Sequence, residues 1–454
     1  MIALTTYAQR RTELSQRVGR PILLMGNGQR SRNLPMSPLP FRQDSSFLYF
    51  TGCTRPGAAL LLVDGESTLY LPPPADDDAL WHGHAETLED MAAEVGIHRV
   101  ADQRQLESDA ARLSGLATIA VPDLAQTQRV SRIIGQELIF GGPNGDDALI
   151  EAIIQMRRTL TDEEINEMRA TAQVTEAAHR AAMAATRPGG HERDVAAAFE
   201  SVVARAGLTT AYPSIVTVRG EVLHNFHHTN PLLEGQLMLL DGGAEAASGY
   251  ATDVTRTWPV SGAFSGRQEA AYSAVLEAQR QSIDLCRAGV RYREVHTRSS
   301  QVIGQFMRDE GLLTCSVDAA VETGAPALFF PHGVGHLIGL DVHDLENFGD
   351  RAAYPADRTR SAQFGTGYLR LDLDLEAGMV VTVEPGFYVV PAILEDPVLR
   401  ERFKDQVDFS AAATWDGFGG IRIEDDVAVT HDAPDVLTGS IPKEIGDLLS
   451  CIGR

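Results

Sequence analysis

The spacing of apolar positions changes partway along the chain, and the change divides it. Through residue 157, short apolar runs such as "PILLMGN" and "GAALLLVDG" alternate with helix-like stretches such as "DDDALWHGHAETLEDMAAEVG". That alternation predicts an α/β domain. From "LTDEEINEMRATAQVTEAAHRAAMAATRPGG" onward the helical spacing is sustained over longer windows. Thr161 with Glu164 reads as a capping box, Leu160 with Ile165 as a hydrophobic staple, and Pro188, Gly189 and Gly190 as the stop. Domains of 1–157 and 158–454 are therefore expected.

The second region repeats its own plan. Helices predicted at about 162–187 and 192–206 lead into strand-like "QLMLLDGG" and "GYATDVTRTW". Ser265 and Gln268 form a second capping box, helices follow at about 267–287 and 292–310, and then come "GMVVTVEPGFYVV" and "GGIRIEDDVAV". A helix pair followed by strands, twice, predicts two related halves around one sheet. Two stretches rich in charge and aromatics, 345–376 and 392–417, read as loops at the rim of a site.

Acids interrupt the apolar strands of this region. Asp241 closes "LMLLD", Asp253 sits in "GYATDVTRTW" on a returning strand, Glu384 ends "MVVTVE", and Glu424 lies in "GIRIEDD". Any one of them alone is an ordinary strand-end acid. Together, two in each half, they need compensation, because buried carboxylates are costly and repel one another. Divalent cations supply it. Strand alternation puts Asp253 on one face with Thr255 and Thr257, and Glu424 with Arg422, while Pro385 holds Glu384 extended.

Three histidines, His332, His336 and His343, fall within "FFPHGVGHLIGLDVHD". A histidine in an apolar run is most often a satisfied core residue, and "HGVGH" lacks the glutamate of the HExxH zinc helix. Beside four candidate acids, however, one imidazole completes a mostly oxygen donor set. That set suits two hard or borderline ions such as manganese or cobalt.

Composition narrows the alternatives. A chain of 454 residues with 44% hydrophobic and 22% charged residues is a soluble globular protein of two domains. A net charge of −23 without a Lys/Arg cluster argues against nucleic acid and anionic membranes. The N-terminus lacks a signal-peptide core, and no apolar run nears the roughly 18 residues that span a bilayer, so a cytoplasmic location is expected. Cys53, Cys286, Cys315 and Cys451 fit no CxxC pattern and read as reduced thiols.

The segments "LLDGGAEAASGYATDVTRTW", "PHGVGHLIGLDVHD", "TVEPGFYV" and "GIRIEDDVAVT" resemble the pita-bread metallopeptidases, specifically the proline peptidases aminopeptidase P and prolidase. The resemblance implies Asp241, Asp253, His336, Glu384 and Glu424 as ligands of two divalent ions, manganese first, with cobalt, zinc or iron as alternatives. It also implies Glu384 as general base, His343 and His224 beside the scissile bond, Arg422 beside the last glutamate, and His332 lining the substrate site. The Asp241 to Asp253 interval is one residue longer than the family leads one to expect, which lengthens the turn at "AASG".

"LPFRQDSSFLYFTG" resembles the amino-terminal domain of aminopeptidase P and of some prolidases. The implied fold is α/β in two domains: an N-terminal creatinase-like α/β domain, then a C-terminal pita-bread domain of pseudo-twofold α+β design. Methionine aminopeptidase generally lacks the first domain, and creatinase lacks the metal ligands. The implied activity is hydrolysis of the Xaa-Pro bond at the N-terminus of peptides. Arg370, upstream of Glu384, resembles the carboxylate-reading arginine of prolidases and favours an Xaa-Pro dipeptidase, although an arginine beside "RLDLDLE" also reads as a solvated charge. The alternatives are an aminopeptidase P acting on longer peptides and, more remotely, a non-catalytic peptide-binding protein. An organophosphorus side activity is left open. The expected partners are a proline-containing peptide and further copies of the chain, as a homodimer or higher homo-oligomer.

Overall fold

Helices of the C-terminal region begin where side-chain oxygens take up their free N–H groups. At the start of Asp162–Ala185, the Glu164 carboxylate accepts from Thr161 N (2.7 Å) and Thr161 Oγ1 (2.8 Å). At the start of Gly266–Ile283, Ser265 N donates to Gln268 Oε1 (2.9 Å) and Gln268 N to Ser265 Oγ (3.3 Å). Such caps stabilise a helix by about 1 kcal/mol and fix where it starts. A second helix follows each, Glu192–Arg205 and Tyr292–Asp309.

Strands come next in both halves. Leu237–Asp241 pairs antiparallel with Ile215–Thr217 on one side and Thr255–Pro259 on the other. In the second half Val380–Val383 pairs with Asp425–Ala428, which pairs with Asp435–Val436, while Gly386–Tyr388 pairs with Gly420–Arg422. The expected plan of helix pair then strands occurs twice, but the strands form separate small ladders in place of one sheet. Pro385, without an N–H, falls between the two strands that flank it and helps to part them.

The computed structural model describes residues 2–75, 77–83 and 86–453. The chain divides into two compact units, one reaching Arg158 and including Leu345–Ala352, the other comprising Thr159–Asp344 and Ala353–Arg454. In the first, a mixed five-stranded sheet runs in the order Arg99–Asp102, Glu66–Leu71, Ala59–Val63, Ile22–Met25, Ala117–Thr118. Leu23, Met25, Leu61 and Tyr70 bury against Leu106, Val121 and Val130. The helical stretch expected around residues 76–96 is two short helices, Asp78–His82 and Leu88–Glu94; Asp76, His84 and Ala85 lie outside the described residues.

The two predicted rim loops need correction. Residues 345–376 contain the short helical turns Glu346–Phe348, Asp350–Ala353 and Thr366–Tyr368. Residues 392–417 are largely helical, with Pro391–Leu394, Pro397–Phe403 and Phe409–Ala413. Their acids are caps: Asp396 Oδ1 accepts from Val398 N and Leu399 N, and Asp408 Oδ1 from Ser410 N and Ala411 N. Among the described residues no helix is long and apolar enough to cross a membrane.

A buried ionic network joins the two halves of the second unit. Arg256 is fully buried, and its Nε donates to Pro442 O, Nη1 to Thr255 O and Glu424 O, and Nη2 to Asp425 Oδ1 and Ile441 O. Asp425 also accepts from Thr438 Oγ1 (2.8 Å), Gln279 Nε2 (2.6 Å) and Lys443 Nζ (2.6 Å). Burial alone would raise the Asp425 pKa, but Arg256 and Lys443 hold it well below the carboxylate range. Asp425→Ala leaves two cations uncompensated and is expected to cost about 3–5 kcal/mol in urea unfolding; a loss below 1 kcal/mol would show the network to be dispensable.

Two buried histidines give stability a pH dependence. Burial, then Arg256, lowers His179 to about 3, and burial, then Arg293, lowers His296 to about 4, both from 6.5. The unfolded chain therefore binds protons that the native state refuses as pH falls below 6.5. Stability should drop from pH 6.5 to 4 by up to about 1.4 kcal/mol per pH unit for each histidine. Urea midpoints of His296→Asn across this range should show a shallower slope than those of the parent chain.

Candidate metal centre

Strand ends and breaks deliver the four acids. Asp241 is the last residue of its strand, paired in register with Thr255. Asp253 lies two residues ahead of Thr255–Pro259, Glu384 just beyond Val380–Val383, and Glu424 in the break between Gly420–Arg422 and Asp425–Ala428. The expectation that Asp253 and Glu424 sit within strands is thereby corrected. Their backbone N–H groups leave the regular ladders: Asp253 N donates to the Asp426 carboxylate (3.1 Å), Glu424 N to Thr255 O (3.0 Å) and Glu384 N to Val334 O (2.8 Å).

Ligand atoms of Asp241, Asp253 and Glu424 lie within 4.8 Å of one another, as do those of His336, Glu384 and Glu424, and those of Asp253, His336 and His343. The first two sets share Glu424. His336 Nδ1 donates to the Leu337 carbonyl (3.0 Å), which turns Nε2 towards Asp253 Oδ2 at 3.5 Å and Glu384 Oε1 at 3.8 Å. An imidazole so anchored presents its free lone pair to a cation. Gly335 (φ 155°) is required beside it, because a Cβ there would collide with Thr382 O and Tyr292 Oη.

The other expected residues group around this cluster. The His343 ring stacks on His336, with centroids 3.9 Å apart. Arg422 donates from Nη2 to Asp241 Oδ2 (2.5 Å), from Nε to Thr255 Oγ1 (3.0 Å) and from Nη1 to Tyr388 Oη (3.1 Å). His332 Nδ1 donates to Gly333 O (2.7 Å), and Tyr388 Oη donates to His332 Nε2 (2.9 Å). His224 and Arg370 are exposed; the backbone of residues 368–370 packs against Gly333, next to His332, and partial burial, then the charges of Arg422 and Arg370, lower the His224 pKa.

Charge does not balance within this group. Arg422 sets one guanidinium against four carboxyls, and the surplus shows in the proton affinities of three of them; burial would raise Asp253 too, but His336 and Tyr212 hold it below its ordinary value. Burial raises Asp241 to about 6, Glu384 to about 7 and Glu424 well above the carboxylate range. Burial opposes a charge on His336, yet Asp253 and Glu384 outweigh it and raise the imidazole to about 9. Tyr212 adds a further sign, since its single phenol proton faces two acceptors, Asp241 Oδ1 (2.6 Å) and Asp253 Oδ1. Crowded carboxylate oxygens beside an anchored imidazole fit divalent cations in both charge and donor type.

Comparison with known proteins agrees. Residues 166–431, which contain all five candidate ligands, match metallopeptidase family M24, and residues 7–119 match the aminopeptidase P N-terminal domain. The chain belongs to metallopeptidase family M24. It is similar to the probable Xaa-Pro aminopeptidase of Phaeosphaeria nodorum (32% identity; 91% of this chain, 87% of that one) and to the human Xaa-Pro dipeptidase (29%; 99% and 94%). Among solved structures it resembles Pseudomonas aeruginosa aminopeptidase PepP (28% identity, TM-score 0.82, 99% and 98% covered). It also resembles zinc-substituted Escherichia coli aminopeptidase P in complex with product (26%, TM-score 0.81, 100% and 99%). The two-domain α/β architecture is that of this M24 group.

Tyr212, Tyr388 and Asp426 also face this M24 centre, and sequence reasoning passed over all three. Tyr212 lies in "TTAYPSIV", far from any acid in sequence, so no local pattern marks it. Tyr388 stands four residues after Glu384 in "EPGFYVV", and its place among bulky apolar neighbours reads as core. Tyr212→Phe should weaken manganese binding by about 10–100-fold in calorimetric titration, the usual effect of losing a group that orients metal-holding carboxylates. Unchanged affinity would make Tyr212 a packing residue.

Proposed function

We propose that this M24 peptidase hydrolyses the Xaa-Pro bond at the N-terminus of small peptides and prefers Xaa-Pro dipeptides. The names of its relatives, Xaa-Pro aminopeptidases and an Xaa-Pro dipeptidase, support the bond specificity. The placement of Arg370 carries the dipeptide preference. Its backbone packs against Gly333, next to His332, and its charge acts on His224 together with that of Arg422; both support a guanidinium poised to meet the free carboxylate of a dipeptide. Residues 1–157 serve as an aminopeptidase P-type domain and 158–454 as the catalytic one.

Asp241, Asp253, His336, Glu384 and Glu424 would hold two divalent cations, manganese first. Bound there, the cations make a water acidic and polarise the scissile carbonyl. Glu384 takes the proton of the attacking water, and His343, stacked on His336, donates a hydrogen bond to the developing oxyanion. His224 approaches the substrate from the exposed edge. Burial, then Arg422, lowers the His332 pKa to about 3, so this ring stays neutral and acts as a hydrogen-bonding wall. Arg422 bridges Asp241, Thr255 and Tyr388 and keeps the ligand strands in register. An Xaa-Pro bond is a tertiary amide without an N–H, so the site needs no acceptor for one.

A second reading, an aminopeptidase acting on longer peptides, draws on the fungal relatives and the bacterial structures so named. Hydrolysis of an Xaa-Pro dipeptide and an Xaa-Pro-Xaa tripeptide, with manganese added, decides between them. The dipeptide should be cut at least about tenfold more efficiently, and Arg370→Ala should raise its KM while leaving that of the tripeptide alone. Equal or better tripeptide cleavage would favour the second reading. Glu384→Gln should lower kcat by about 10²–10⁴-fold while the fold survives; near-normal turnover with manganese would remove Glu384 from the proton transfer.

A further inference from the structure

The segment that carries Arg370 is held in a way its exposed position does not require. Asp372, two residues on, is fully buried, and its carboxylate accepts from Arg291 Nε (2.7 Å) and Arg291 Nη2 (2.6 Å). Arg293 Nη2 closes on the same carboxylate at 2.7 Å. Both arginines stand at the start of the helix Tyr292–Asp309, Arg291 as its cap residue. The backbone is fastened alongside: Tyr292 N donates to Leu373 O (2.9 Å), Leu375 N to Val290 O (2.8 Å), and Arg358 Nη1 to Asp372 O (2.8 Å).

On the other side of Arg370, the Leu369 carbonyl accepts from Tyr354 Oη (2.5 Å) and Arg360 Nη1 (2.7 Å). The same backbone presses on the histidine segment. A Cβ built on Gly333 would lie 3.0 Å from Leu369 Cα and Tyr368 O and 3.4 Å from Arg370 N, so a side chain there would push residues 368–370 away from His332 by a few tenths of an ångström. Arg370 is thus bracketed by a doubly accepted carbonyl and a doubly paired carboxylate. Free surface loops do not fix a charged residue between two buried anchors.

We propose that Asp372, clamped by Arg291 and Arg293, is a positioning residue that sets the reach of Arg370 and thereby selects substrates ending in a free proline carboxylate. The proposal rests on the carboxylate-reading role of Arg370 given above. A bidentate guanidinium contact depends on angle as well as distance, and a small drift of the segment is enough to lose it.

Asp372→Asn keeps the shape of the side chain and removes its charge. With the manganese-loaded, full-length protein it should raise KM for an Xaa-Pro dipeptide by about tenfold, the worth of one charge-assisted contact, with kcat little changed and KM for the Xaa-Pro-Xaa tripeptide unmoved. Arg293→Gln, which leaves the paired contacts of Arg291, should give a smaller rise of the same kind and serves if Asp372→Asn does not fold. An equal rise for both peptides, or none for either, overturns the proposal. Arg370→Ala separates the two levels. If it leaves dipeptide selectivity intact, the role of Arg370 itself is wrong; if it abolishes selectivity while Asp372→Asn does not, the clamp alone is wrong.

Discussion

Four carboxyl groups, those of Asp241, Asp253, Glu384 and Glu424, converge around one imbalance of charge, and much of the second unit is arranged to tolerate it. Their positions at strand ends and breaks free them from the ladders, whose side chains alternate faces and could not all point to one place. A single guanidinium, Arg422, cannot neutralise them, and the raised proton affinities of Asp241, Glu384 and Glu424 express the remainder. Membership of a metallopeptidase family accounts for the imbalance: the same crowding that would destabilise a cation-free core builds affinity for divalent ions.

Such a cluster needs a rigid frame, and the frame is also ionic. Arg256 ties the backbone beside Asp253 to the carbonyl of Glu424 and the carboxylate of Asp425. Neighbouring residues at a strand break thus split their roles: Glu424 faces the site, whereas Asp425 faces a fully paired network behind it. In the second network the buried carboxylate is paired with two cations and hydrogen-bonded throughout, as a buried ion must be if it is to hold position. Glycines complete the frame: at Gly335 the chain approaches Thr382 too closely for a side chain, and at Gly333 it packs tightly on the segment of Arg370.

The segments that carry His224 and Arg370, proposed above to meet the substrate, are built differently from the metal-holding centre. His224 and Arg370 are exposed, and their placement depends on segments outside the ladders. The stretch around Arg370 is fixed by side-chain and backbone contacts to the residues that open a helix.

The sequence by itself determined the helix pairs, their capping boxes, the division near residue 158 and the four acids that break apolar strands. These are local patterns, written in spacing and in residue types that interact within one or two turns. It misjudged residues 392–417, where the acids taken as signs of a loop cap short helices. It also placed Asp253 and Glu424 within strands, because alternation does not reveal where a ladder stops. Only the tertiary structure could bring Tyr212 between Asp241 and Asp253, Tyr388 between Arg422 and His332, and Arg291 onto Asp372. Those contacts join residues far apart in the chain, and what selects them is the packing of whole elements, which no local pattern encodes.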